Sequence, residues 1–200
     1  LLAQTLNSAG VSKGHVDSLI TKAKKSLGGQ GGVDRSLDID GPDSKAKNAL
    51  IKEIQLNEQI KSVYKAIPES KPINNPSVSS NFGVRVHPVT GKLAFHEGVD
   101  FTPHRDMMAK ATAPGIVEVD SSYVGYGNVV TVHHAFGFKT LYGHLSKILV
   151  KPGQRVEAGT VVGVVGSTGT STGTHLHYEI AIDNDKLNPL LAMELAKNVQ

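Results

Sequence analysis

From Gly83 to Gly173 glycine interrupts the chain every few residues: 14 of the 21 glycines fall in this stretch, between short runs rich in Val, Ile, Thr and Tyr. The clearest runs are Ile116-Val117-Glu118-Val119, Asn128-Val129-Val130-Thr131-Val132-His133 and Val161-Val162-Gly163-Val164-Val165. β-Branched side chains suit the pleated surface of a strand, and glycine suits the turns between strands. Turn signals spaced about 8–12 residues apart mark a compact antiparallel sheet or sandwich. The chain beyond Ser80 is therefore expected to be mainly β.

The N-terminal part has a different period. Val16, Leu19/Ile20, Ala23 and Leu27 recur at helical spacing and stop at Gly28-Gly29. The Gly- and Asp-rich stretch that runs on to Gly41-Pro42 has no period and reads as a flexible connection. Asp43 or Ser44 can cap a second helix carrying Leu50/Ile51, Ile54, Ile60, Val63/Tyr64 and Ile67, which ends at Pro68. The pair predicts a helical hairpin or coiled-coil arm, serving either as a spacer that packs or as a lid over a site. The division is an arm over 1–67, a linker over 68–77 containing Pro68, Pro72 and Pro76, and a β domain over 78–200. Asn188-Pro189 ends the last strand, and Leu190–Lys197 forms a short terminal helix.

Composition narrows the chemistry. No apolar run approaches the roughly 20 residues of a membrane-spanning helix. The chain opens at Leu1 without an initiator Met or a basic-then-apolar leader, and reads as a fragment or processed form, which leaves an upstream signal or anchor open. Residues 1–75 hold 11 basic and 8 acidic side chains and residues 76–200 hold 10 of each, so the net +3 does not lie on the β domain. Aromatics are 5%. A neutral domain with few stacking platforms argues against nucleic acid as a partner. With no Cys there is no disulfide, thiolate metal site or thiol nucleophile, so a metal must be held by His and carboxylates. Eight of the nine His lie between His87 and His177.

Within that cluster, His175 and His177 in Thr174-His175-Leu176-His177-Tyr178-Glu179-Ile180 share one strand face, with Leu176, Tyr178 and Ile180 on the other. His96 and Asp100 share a face across Glu97-Gly98-Val99, and Gly98 keeps that face open. Two imidazoles and a carboxylate suit a catalytic Zn²⁺, which typically has three protein ligands and keeps one position open. His144 follows Tyr142-Gly143 at a strand end. His87, His104, His133 and His134 read as structural or exposed, and His15 has no evident partner. His96-Glu97 does not begin a His-Glu-x-x-His zinc motif, because position 100 is Asp.

Four ordered blocks carry a family resemblance: Ser80-Asn81-Phe82-Gly83-Val84-Arg85-Val86-His87-Pro88, His96-Glu97-Gly98-Val99-Asp100-Phe101, Tyr142-Gly143-His144-Leu145-Ser146, and Gly166-Ser167-Thr168-Gly169-Thr170-Ser171-Thr172-Gly173-Thr174-His175-Leu176-His177-Tyr178-Glu179. Over about residues 78–192 the chain resembles the M23 (lysostaphin/LytM-like) metallopeptidases, as do Gly125-Tyr126-Gly127-Asn128 and the turn from Val150 to Gly159. It departs from them at Asp106-Met107-Met108-Ala109, where members carry a Gly-Thr-Pro-Val-like step.

The resemblance implies a zinc-dependent endopeptidase that cuts peptide cross-links or bridges of bacterial peptidoglycan, with one Zn²⁺ per chain. It implies His96, Asp100 and His177 as metal ligands and His144 and His175 as an unliganded catalytic pair. Glu179, on the same strand face as His175 and His177, is placed to orient an imidazole, to form a salt bridge or to stand as an exposed carboxylate. The arm resembles coiled-coil segments of membrane-anchored Gram-negative envelope members. That implies D,D-cross-links of the diaminopimelate type, an extracytoplasmic location in the periplasm or envelope, an inner-membrane anchor in a longer chain and a regulatory partner for the arm. Alternatives are a non-catalytic LytM-like activator, a glycyl-glycine bridge endopeptidase, a lipoyl-like carrier and an enzyme whose arm fills its own groove, with Asn74, Asn75 or Asn81 as a fourth ligand. The carrier lacks its modifiable Lys, since the hairpin reads Gly166-Ser167-Thr168-Gly169.

Overall fold

The computed structural model describes residues 12–27, 50–86 and 91–197, apart from 52, 56, 59–60, 62, 64–65 and 184. Helix α1 spans Lys13–Leu27. Its periodic residues Val16 and Leu19 are buried, as an apolar stripe requires. Helical residues recur between 50 and 66 and stop ahead of Pro68, because proline restricts the residue before it and cannot donate to the helix ladder. The Gly-rich connection and the Asp43 or Ser44 cap lie outside the described residues.

Among the described residues twelve strands follow: β1 Ser77–Ser80, β2 Gly83–Val86, β3 Leu93–His96, β4 Val99–Thr102, β5 Met108–Lys110, β6 Gly115–Tyr123, β7 Gly127–His133, β8 Phe138–Ile148, β9 Arg155–Val156, β10 Val161–Val165, β11 Leu176–Ile182 and β12 Asp185–Leu187. Helix α2, Pro189–Lys197, comes last. All the strand pairings are antiparallel, as expected of a mainly-β chain: β1-β4-β11-β8-β7-β6-β9 run side by side, β10 joins β8 to β5, β12 pairs with β11, and β2-β3 is a separate hairpin.

The long strand β8 pairs with β7 along one edge and changes partner along the other. Phe138–Gly143 pairs with β11, whereas Leu145–Ile148 pairs with β10. The residue at the switch is His144, with φ of +58°. That left-handed backbone costs a non-glycine residue about 1 kcal/mol, so the surrounding ladder holds it: the His144 N–H donates to the Tyr126 carbonyl at 2.8 Å.

Alternation sorts the two faces of the sheet. Leu176, Tyr178, Ile180 and Ile182 of β11 pack with Phe101, Phe138 and Tyr142 in the core. Each such side chain contributes about 1.5–3 kcal/mol by leaving water. The Tyr142 and Tyr178 hydroxyls are not orphaned there, because both bond to Thr112. Thr140 extends the network to Tyr142 and to His134.

The segment read as a linker, 68–77, lies docked on β5. Ile73 is buried, the Pro72 carbonyl accepts from Lys110 N–H at 2.8 Å, and Ser70 donates to the Thr112 carbonyl. Helix α1 packs on the 135–137 turn, with Lys22 Nζ paired to Asp183 at 3.0 Å. Six residues of strand, about 20 Å, separate Asp183 from His177 on β11. Helix α1 therefore sits at the far end of that strand from the histidine cluster.

Candidate metal centre and active site

Adjacent strands place the chemistry on the face opposite the core. The register sets His177 of β11 against Asp100 of β4 on one side and Gly143 of β8 on the other. His96 arrives from the end of β3, one bend before β4. Gly98 occupies that bend because nothing larger fits: a Cβ there would stand 2.5 Å from the Tyr178 carbonyl oxygen and 2.8 Å from His177 Cε1.

Three ligand atoms converge. His177 Nδ1 lies 2.8 Å and His96 Nε2 3.1 Å from Asp100 Oδ1, and the two nitrogens are 3.1 Å apart. All three residues are buried. The outward nitrogen of each ring is committed elsewhere: His96 Nδ1 donates to the Asn81 carbonyl at 2.8 Å and His177 Nε2 donates to Glu179 Oε1 at 3.0 Å. With those protons placed outward, the inward atoms of neutral rings are lone pairs, and three acceptors meeting at one point require a cation between them. Protonation answers the same demand. Burial disfavours charge on His177, but its bonds to Asp100 and Glu179 outweigh this and hold its pKa above the ordinary value. Burial likewise opposes charge on Asp100, and the bonds from His177 and His96 overcome it, leaving the carboxyl ionised well below the usual carboxylate range.

Behind the triad, Glu179 is 1% exposed and accepts from His177, from the Tyr126 hydroxyl at 2.8 Å and from Lys186. Burial would raise its pKa, yet the contacts with His177 and Lys186 lower it. Glu179 is thus both an imidazole anchor and an ion-pair partner, and not an exposed carboxylate.

In front, a cavity of about 350 Å³ is bounded by the β2–β3 hairpin, Gly125-Tyr126 and Thr170-Ser171-Thr172, and opens onto His96, Asp100, His144, His175 and His177. His144 Nδ1 donates to the Thr168 carbonyl at 2.7 Å, which leaves Nε2 as its lone pair. Burial lowers its pKa, so the ring is neutral near pH 7. His175 Nδ1 donates to the Gly173 carbonyl at 2.8 Å, and its Nε2 stands 3.7 Å from Asp100 Oδ1. The His144 and His175 ring centroids are 4.8 Å apart. All five residues picked out in the sequence therefore meet in one cavity.

The other histidines lie elsewhere. His104 bonds Ser77, His133 bonds Glu118, and His134 is buried between the Pro114 carbonyl and Thr140. His87 and the side chain of His15 lie outside the described residues. Asn74 donates to Asp106, Asn81 contributes its backbone carbonyl, and none of Asn74, Asn75 and Asn81 lines the cavity. The divergent Asp106–Ala109 step lies outside the groove wall too: Asp106 accepts from Met108 N–H and Asn74, and Ala109 belongs to β5. Residue-level reading passed over Arg85, Lys186 and Tyr126. Only the Gly125-Tyr126-Gly127 spelling hinted at Tyr126, whose ring lies 5.0 Å from that of His177.

Residues 94–189 match the model of peptidase family M23. The catalytic domain of lysostaphin from Staphylococcus simulans, an antimicrobial peptidase, is 31% identical with a TM-score of 0.55, over 60% of this chain and 94% of that one. A zinc-containing peptidase from Vibrio cholerae is 36% identical with a TM-score of 0.52, over 64% of this chain and 38% of that one. The DD-carboxypeptidase/endopeptidase Mpg of Neisseria meningitidis serogroup B is 41% identical over 120 residues, 60% of this chain. The chain spans 28% of that relative's length. A strand-borne His/Asp/His group opening on a cavity defines a metallopeptidase-type site, and the chain belongs to the M23 peptidase family. The family is zinc-dependent, and two imidazoles with one carboxylate are the donor set that zinc takes in catalytic sites.

Proposed function

We propose that the chain is a zinc-dependent endopeptidase that hydrolyses peptide cross-links of bacterial peptidoglycan, acting on D,D-bonds of the diaminopimelate type. The observation that carries this reading is the convergence of His96 Nε2, Asp100 Oδ1 and His177 Nδ1 beside two further imidazoles, His144 and His175, each held through Nδ1 by a backbone carbonyl. Likeness to a DD-carboxypeptidase/endopeptidase supports the substrate class.

His96, Asp100 and His177 would hold the zinc, which when bound supplies Lewis acidity that lowers a water's pKa and polarises a carbonyl. Glu179 fixes the His177 tautomer that turns Nδ1 inward, and the Asn81 carbonyl does the same for His96. His144 and His175 each spend Nδ1–H on a backbone carbonyl and present Nε2 to the cavity. One of them takes the proton of the attacking water at Nε2 and returns it to the leaving amine, while the other, carrying a proton on Nε2, donates to the developing oxyanion. The depressed pKa of His144 keeps a proton acceptor available at neutral pH.

In this reading residues 78–200 form the peptidase unit, 68–77 its docked linker and 1–67 an arm open to a regulatory partner. Peptidoglycan lies outside the cytoplasm, so the chain works in the periplasm or envelope, held there by an anchor in a longer chain; no described helix is long and apolar enough to cross a membrane. The test is mass spectrometry of defined cross-linked diaminopimelate muropeptides and a pentaglycine-bridged control, with and without a zinc chelator. Chelator-sensitive conversion of dimers to monomers is expected. His144→Ala and His175→Ala should retain zinc and lose about 100- to 10,000-fold in turnover, whereas Asp100→Ala and His177→Ala should lose the metal. Zinc-loaded protein that cleaves neither substrate would leave the non-catalytic activator as the better reading.

A further inference from the structure

Arg85 is unaccounted for by the metal centre, although its side chain enters the same cavity. In the β2–β3 register Gly83 faces His96 and Arg85 faces Ala94. Directly opposed residues, and those two positions along, share a face, so Arg85 stands on the His96 side of the hairpin. Val84 and Val86 stand on the other side and are 69% and 63% exposed.

Its guanidinium approaches the outer oxygen of Asp100, with Nη2 3.5 Å from Oδ2, while Oδ1 faces His96, His177 and His175. At 3.5 Å this is an ion pair and not a hydrogen bond, whose N···O distance runs to about 3.2 Å. The five-donor fork is therefore not consumed by Asp100. Among the described residues lining the cavity Arg85 is the one Lys or Arg. Lys186 lies behind the triad, engaged by Glu179 and Glu97.

The leaving group supplies the matching charge. In a directly cross-linked diaminopimelate bridge the scissile amide nitrogen is borne by a carbon that carries a free carboxylate, and a terminal D-alanine presents the same arrangement. Three bonds of about 1.3–1.5 Å join the scissile carbon to that carboxylate carbon, so the carboxylate lies within about 4 Å of the reacting centre. A cation that reads it must stand immediately beside the triad, and it must offer a planar, bidentate donor pair.

We infer that Arg85 is a specificity-determining residue that binds the carboxylate on the carbon bearing the leaving nitrogen. This rests on the peptidase reading above and deepens it. The enzyme thereby favours cross-links and termini with a free carboxylate at that carbon over bonds whose chain continues through an amide, such as a pentaglycine bridge.

The test compares two cross-linked peptides identical except for carboxylate or carboxamide at that carbon, with kcat/KM, zinc stoichiometry and thermal unfolding measured for wild type, Arg85→Ala and Arg85→Lys. Wild type is expected to prefer the carboxylate about 100-fold, the scale of a charge-assisted pair. In Arg85→Ala that ratio should collapse to within about threefold of unity, and Arg85→Lys, which keeps the charge but loses the fork, should fall between. Equal losses on both substrates with the ratio kept would make Arg85 a support for Asp100 and overturn the assignment. Equal cleavage of both substrates by wild type would overturn it as well, leaving the peptidase reading intact. Cleavage of neither would overturn that reading and the assignment together.

Discussion

Replacing Gly98 with alanine tests whether the metal centre depends on the tight bend between β3 and β4. An ideal Cβ at this position would lie 2.8 Å from His177 Cε1, 2.9 Å from His177 Nε2 and 2.5 Å from the Tyr178 carbonyl oxygen. Carbon–carbon contacts are relaxed at about 3.5 Å or more, so the ring must retreat by about 0.7 Å. The backbone carbonyl cannot yield instead, because β11 is pinned on both sides, by β4 and β8. A shift of that size exceeds the about 0.2 Å tolerance of a metal–ligand bond, and it lengthens the 3.0 Å bond from His177 to Glu179. Zinc affinity should fall at least about 10- to 100-fold, as when an anchoring contact to a ligand is lost. Overpacking should also cost about 1–3 kcal/mol, lowering Tm by about 2–4 °C per kcal/mol in a chain of this size. Competition for zinc against a chromophoric chelator and thermal unfolding of the metal-free protein read the two effects separately. Gly173→Ala is the control, since a Cβ there meets nothing within 4 Å. Wild-type zinc affinity in Gly98→Ala would refute the steric argument.

Three further outcomes are expected. Glu179→Gln removes the charge that accepts from His177, Tyr126 and Lys186 and should weaken zinc binding about 10- to 100-fold; unchanged affinity would reduce Glu179 to an ion-pair role. Zinc present at about 1,000 times its Kd should stabilise the folded chain by about 4 kcal/mol over the chelated form, and a Tm independent of zinc concentration would contradict a site built only in the folded state. Burial holds the pKa of His134 below its ordinary 6.5. The unfolded chain therefore takes up the proton first, so the contribution is intact above pH 6.5 and is lost as pH falls below it. Denaturant titrations from about pH 7.5 to 5.5 should show a shallower loss of stability in His134→Gln than in wild type, and parallel slopes would refute the assignment.

Much of this molecule is local in origin. The two-residue alternation of His175, His177 and Glu179 against Leu176, Tyr178 and Ile180 separates site from core without reference to any other strand, because a pleated strand has no other way to place its side chains. The helical period of Val16 and Leu19, and the stop before Pro68, are equally local. Tertiary structure decided which carbonyls hold the rings: Asn81 for His96, Thr168 for His144 and Gly173 for His175. Backbone acceptors have no spelling in a sequence. It also set the left-handed turn at His144, which exists because β8 changes partner from β11 to β10, a property of the pairing and not of the residue. Arg85, Tyr126 and Lys186 joined the site for the same reason: strand register brings residues from distant parts of the chain within a few ångströms, and a lone Arg or Tyr in a sequence carries no sign of the neighbour it will meet.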